Sequence, residues 1–226
     1  MHKLERPEAP GCLAQYRRGA KDWQRISSAE KREIWVQLDA MQGQRCAYCE
    51  DLLHPERRHI EHFRQRSRFP EGTFQWDNLF GSCNKSGSCG KRKDRSEYRA
   101  GDILKPDVDD PDDYLRFLSD GGIALRHDLT ADRRHRAEET LRVFNLDHER
   151  GALRQMRRSA LQGYLTRAEE LQEWFELDES LFLEFLEEEL HAIAGLPFEQ
   201  KTAAFCDSIL RMNRQSRRCK AEALPV

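Results

Sequence analysis

The chain has no apolar run long enough to cross a bilayer, and no apolar stretch follows Met1. We therefore expect neither a membrane-spanning nor a secreted protein, and read a soluble protein of the cytoplasm. It also lacks an even set of cysteines, since the count is seven. An odd set without a secretory signal argues against a disulfide framework. Internal repeats and low-complexity tracts are missing, which sets aside solenoids and fibrous architectures. No charge sign is in large excess either: 38 Lys+Arg stand against 40 Asp+Glu.

That near-neutral average hides segregation. From His54 to Arg99 there are eleven basic and six acidic residues; from Tyr164 to Gln200 there is one basic residue, Arg167, against eleven acidic ones. A basic block beside an acidic one suits a protein that meets a polyanion on one face. Two ordinary solvated faces are the plain alternative, and charge alone favours it. With 226 residues, eleven Phe and four Trp, the chain can build one sizeable core or two small ones.

Local patterns divide the chain. The first 25 residues carry Pro7, Pro10 and Gly11 and read as an arm with one short turn. Ser27 and Glu30 have capping-box spacing, and Ile34, Trp35, Leu38 and Met41 recur at helical intervals. A helix from about Ser28 to Gln42 is expected, ended by Gly43. Residues 44–100 are irregular and rich in Cys, Arg, Gly and Ser, a composition that needs a metal to hold it. "DVDDPDD" (107–113) reads as an acidic linker, and Asp120-Gly121 as the turn of a hairpin. Thr130 caps a helix to about Phe144. Further helices are expected over roughly Asp147–Trp174, over "DESLFLEFLEEELHAIAG" and over "FEQKTAAFCDSILRMNRQSRR". The expected fold is mainly α with a small α+β insert, divided as 1–43, 44–100 and 101–226.

Four cysteines form two hooks, Cys46-x-x-Cys49 and Cys83…Cys89. Two hooks some thirty positions apart suit a structural four-cysteine zinc site. A redox CxxC is the weaker reading, because no βαβ pattern surrounds it. Cys12, Cys206 and Cys219 read as free thiols. Between the hooks lie "HIEHF" (59–63) and "WDNLFGSC" (76–83).

This order, with Glu61-His62, Asn78-Leu79 and the four cysteines, resembles the HNH endonuclease family. "HIEHFRQRSRF", "FQWDNLFGSCN", "CGKRKD" and "LRVFNLDHERGALRQMRR" look like its PtuB-like subgroup from Septu and retron anti-phage systems. The resemblance implies a zinc-stabilised ββα-metal module with a C-terminal helical region. It implies phosphodiester hydrolysis in nucleic acid, with DNA the favoured substrate and RNA, tRNA included, the alternative. It also implies an ATPase partner (PtuA-like) and, in retrons, a reverse transcriptase and its DNA.

The chemistry suits those residues. Hydrolysis needs a base for water and a cation for the phosphate. His62 would be the base, Glu61 would hold Mg²⁺ or another divalent ion on the opposite strand face, and Asn78 would support the loop. Where the family has His or Asn after the last cysteine, this chain has Gly90. Asp94 is the expected substitute ligand, with Asn84 and His59 behind it. Arg64, Arg66, Arg68, Lys91, Arg92 and Lys93, with Arg57, Arg58 and Arg95, would form a phosphate track. Singly, each is an ordinary solvated charge. The acidic run Glu184–Glu189 would dock a basic partner or simply aid solubility. The rival classes are a non-catalytic zinc-containing nucleic-acid-binding module and a protein–protein adaptor.

Overall fold

The computed structural model describes residues 1–160, apart from 17, 18, 21, 119 and 150, and scattered positions between 173 and 188. The two last expected helices, the acidic run and Cys206 and Cys219 lie wholly or largely outside the described residues. Of the expected 147–174 helix, residues 152–160 are described and helical. Two compact units divide the chain: 1–115 with 125–148, and 116–124 with 149–226. The described elements are helices with two small antiparallel sheets, an α+β arrangement. No described helix is long and apolar enough to cross a membrane.

In the first unit, α1 spans Ser28–Gln42. Ser27 Oγ accepts from Glu30 N at 3.2 Å, and Glu30 Oε2 accepts from Ser27 N at 2.7 Å, which completes the capping box. Gly43 ends the helix with φ +58°. Ile34, Leu38 and Met41 are buried; Trp35 is only half-buried and carries the Arg58 guanidinium 3.9 Å above its ring. Gln42 closes the helix onto the sheet. Its side-chain amide donates to Gly81 O at 3.0 Å and accepts from Gly81 N at 2.7 Å, in the manner of one more strand residue.

Within 44–100, β1 (Arg58–His62) pairs antiparallel with β2 (Leu79–Cys83), and α2 (Cys89–Lys93) follows. Glu61 stands opposite Phe80, and His62 opposite Leu79. β2 is buried along its whole length. Tyr48 stacks on Phe144 at 4.1 Å, which brings α3 (Ala131–Phe144) onto the same core. Thr130 caps α3, as expected, and Asn145 closes it in the left-handed region.

Two expectations are corrected. The N-terminal segment is more than an arm with one short turn: it has two 3-10 turns, Gly11–Gln15 and Trp23–Arg25, Met1 and Leu4 are buried, and Leu4 N donates to Pro106 O at 2.9 Å. Residues 107–113 are not a linker. Asp107 accepts from Arg6 Nε at 2.6 Å, and Asp109 pairs with Arg136 of α3 at 2.7 Å. Residues 107–113 are folded in because Arg6 and Arg136, far apart in this unit, meet Asp107 and Asp109. Arg6 also lies over the rings of Trp76 (4.9 Å) and Phe80 (4.5 Å).

Strands β3 (Leu115–Phe117) and β4 (Ile123–Leu125) make the expected hairpin, with Gly121 at φ +82°. In the second unit a Cβ on Gly121 would lie 2.4 Å from Arg154 O, so glycine is required twice over. Arg154 pairs with Asp120, and Arg157 Nε donates to Gly121 O at 2.5 Å.

Candidate metal centre and histidine site

The four hook cysteines converge. Their sulfurs all lie within 4.8 Å of one another, and all four residues are buried. The first hook is a tight turn: Glu50 N donates to Cys46 O at 2.9 Å, Cys46 N to Asp51 O at 2.9 Å, and Glu50 takes φ +62°. Cys83 ends β2 and Cys89 begins α2, so the sheet and the short helix deliver the second pair. A tetrahedral zinc site with Zn–S bonds of about 2.3 Å has sulfurs about 3.8 Å apart. Cys49 and Cys83 already stand at 3.9 Å, so this set could hold zinc.

Burial pushes the Cys46 thiol up, but hydrogen bonds with Cys49, Cys83 and Cys89 outweigh it and hold Cys46 well below the usual range. The same bonds to Cys46 push Cys49 and Cys89 well above it. Four buried sulfurs converging in a dry pocket suit a soft cation.

His62 ends β1, buried to 7% exposure. Its Nε2 lies 3.0 Å from Thr73 O. A carbonyl only accepts, so Nε2 carries the hydrogen and Nδ1 keeps its lone pair. Burial lowers the His62 pKa to about 4, with Arg66 and Lys93 pushing the same way against the Thr73 carbonyl. The ring is therefore neutral at physiological pH. Trp23 meets it edge-on at 4.6 Å.

Asn78 is fully buried and clasps the loop after β1. Oδ1 accepts from Arg64 N at 2.7 Å, while Nδ2 donates to Arg64 O at 3.2 Å and Gly72 O at 3.1 Å. The loop so held leads to Thr73, the partner of His62. A scan of protein-family models and a search of curated proteins give no match to this chain.

Glu61 points to the other strand face, where it is 1% exposed. Tyr48 Oη donates to it, and the ammonium of Lys93 pairs with it. Burial raises its pKa, against the pull of Lys93. Lys93 is itself fully buried. Its Nζ also donates to His62 O at 2.5 Å and lies 3.1 Å from Asp94 Oδ1.

Lys93 is thus no part of a phosphate track, a correction with a plain cause: its charge is spent inside. As arranged, Glu61 and Asp94 do not fit a hard divalent ion, because an ammonium already stands against both carboxylates. Gly90 adds no donor. A Cβ there would lie 2.4 Å from Glu61 Cγ, 3.0 Å from Ser82 Oγ and 3.1 Å from His59 Nε2. His59 Nδ1 is engaged with Asn84 Oδ1 at 2.8 Å. Among the described residues the cysteine set alone forms a metal-competent group of three or more.

Two predictions follow from this packing. Gly90→Asn is expected to lose about 1–3 kcal/mol by overpacking; thermal melting with and without Mg²⁺ checks it, and Mg²⁺ should give no rescue. Lys93→Met leaves Glu61 buried without its cation and should cost about 3–5 kcal/mol in urea unfolding. The double variant Lys93→Met/Glu61→Leu should recover most of that loss.

Arg58 is also taken up, paired with Asp39 at 2.8 Å and packed over Trp35. Arg66, Arg68, Lys91 and Arg92 are exposed. Arg64 lies 4.0 Å over Phe69 and 3.6 Å from Asp77, and Arg68 reaches Glu97 at 3.9 Å. The sequence reading missed Tyr48, Thr73 and Trp23. Tyr48 sits inside the first hook and could have been suspected as a lid on the cluster; Trp23 carries no local signal at all.

Proposed function

We propose that this chain is an endonuclease that hydrolyses phosphodiester bonds in nucleic acid, with His62 as general base. The observation that carries the reading is the placement of that imidazole: Nε2 sits on Thr73 O at 3.0 Å, which leaves Nδ1 to accept a proton. In the step envisaged, water gives a proton to Nδ1 as its oxygen bonds to phosphorus. The ester P–O bond then breaks, and the leaving oxygen takes a proton from solvent. An incoming phosphate anion raises the His62 pKa and so strengthens the base. The exposed Arg66, close enough to bear on His62, is the nearest candidate to offset phosphate charge.

The strand–strand–helix order around the cysteine set supports the resemblance to HNH nucleases and their ββα-metal module. On that resemblance we assign the chain to anti-phage defence, as the effector beside an ATPase partner, with a retron reverse transcriptase and its DNA as a further partner. A second reading, a zinc-held module that binds nucleic acid without cutting it, is favoured by Lys93 on Glu61 and by Gly90. Cleavage of supercoiled DNA and of an RNA pool decides between them. Wild type and His62→Ala are compared with Mg²⁺, with Mn²⁺ and with neither, with any adjacently encoded ATPase present. Loss of cleavage in the variant supports the nuclease; equal, absent cleavage with retained binding supports the module.

A further inference from the structure

We infer that the half-exposed aromatic shelf of Trp23, Phe74 and Tyr16 beside His62 is a stacking subsite for an unpaired nucleobase. The nucleic acid would then be single-stranded or looped at the point of attack. This rests on the nuclease reading and adds the conformation of the substrate to it.

The shelf is built from three separate segments. Tyr16 and Phe74 stack in parallel at 3.9 Å, and Phe74 meets Trp23 at 5.5 Å. Tyr16 is fixed by its hydroxyl on Glu30 at 2.8 Å. Trp23 stands on a single 3-10 turn, Trp23–Arg25, capped by Asp22, whose side chain accepts from Gln24 N. All three residues are half-buried.

Comparison with the other described tryptophans sharpens the point. Trp76 donates its indole N–H to Pro7 O at 2.9 Å, and Trp35 is covered by Arg58. Among the described residues, none takes the indole N–H of Trp23. A wall that served only to dry His62 would itself be dry. Trp23 instead combines a T-shaped contact with His62 with a partly open surface, and the guanidinium of exposed Arg66 lies 6.0 Å from its ring.

Aromatic faces beside exposed cations are how proteins hold single strands, by stacking on bases and tracking phosphates. Paired bases in a duplex are stacked on one another and show only their edges. A base on Trp23 would bring its own phosphate toward His62, whose ring centroid is 4.6 Å away.

The test is binding of the full-length protein to phosphorothioate-linked oligo-dT, 2′-O-methyl oligo-U and blunt duplexes of equal length, by fluorescence anisotropy. Trp23→Leu should weaken single-strand binding roughly tenfold or more, the loss of one stacked base. Trp23→Phe should keep most of it, and duplex binding should be weaker throughout. Thermal melting confirms that each variant is folded, and the two single strands show which sugar is preferred. If Trp23→Leu binds single strands as wild type does, while cleavage still depends on His62, the shelf proposal falls alone. If wild type binds none of the polymers, the nuclease reading falls with it.

Discussion

His62→Ala is expected to lower cleavage by about 10²–10⁴-fold, the usual worth of a positioned general base. The variant should still bind nucleic acid, since the exposed arginines and the zinc-competent cluster are untouched. A pH series gives the change a second signature. The His62 pKa falls from 6.5 to about 4 in the folded chain, through burial first. Below pH 6.5 the unfolded chain takes up a proton that the folded one refuses. Stability tied to the neutral ring is thus present above 6.5 and lost as pH falls toward about 4, by roughly 3 kcal/mol in all. His62→Ala removes this dependence. Urea unfolding of both proteins between pH 4 and 7 should show curves that diverge above and converge below. Parallel curves would mean that His62 is not held neutral by the fold, and would remove the basis for its role.

Cys49→Ser, or treatment with a zinc chelator, is expected to unfold the β1–β2–α2 region outright. Structural zinc contributes on the order of 10–16 kcal/mol in small sites, which equals or exceeds the whole stability of an ordinary domain. Here the four sulfurs join the first hook, the end of β2 and the start of α2, and each of the four is a free thiol rather than half of a disulfide. Elemental analysis should find zinc in wild type and in Cys12→Ser, because Cys12 lies apart, its thiol directed at Glu30 O. Cys49→Ser should lose the zinc together with near-ultraviolet circular dichroism. A Cys49→Ser protein that melts like wild type would show that the cluster is not a staple. His62→Ala retains zinc in this scheme, so the two losses of activity have separable causes.

Much of the local structure was legible because its causes lie within a few residues. Ser27 and Glu30 announce α1, Gly43 ends it, Thr130 starts α3, and Asp120-Gly121 turns the hairpin. The cysteine hooks were legible too: few arrangements satisfy four buried thiols at that spacing, and the structure brings all four together. The three hydrogen bonds of Asn78 to Arg64 and Gly72 likewise lie within a short reach of chain.

What tertiary structure decided is the fate of each charge and each aromatic ring. Lys93 sits among Lys91, Arg92 and Arg95 and reads as one more surface cation, yet it is fully buried on Glu61, thirty-two positions earlier. Asp107 reads as linker, yet it locks Arg6 a hundred residues away. Gly90 reads as a missing ligand; the packing makes it the one residue without a side chain to strike Glu61 and His59. Trp23 reaches His62 from an unrelated segment. A cap or a turn is settled by torsions and hydrogen bonds inside one short stretch. A charge is buried only when a distant partner repays its desolvation, and which partner arrives is a property of the folded chain.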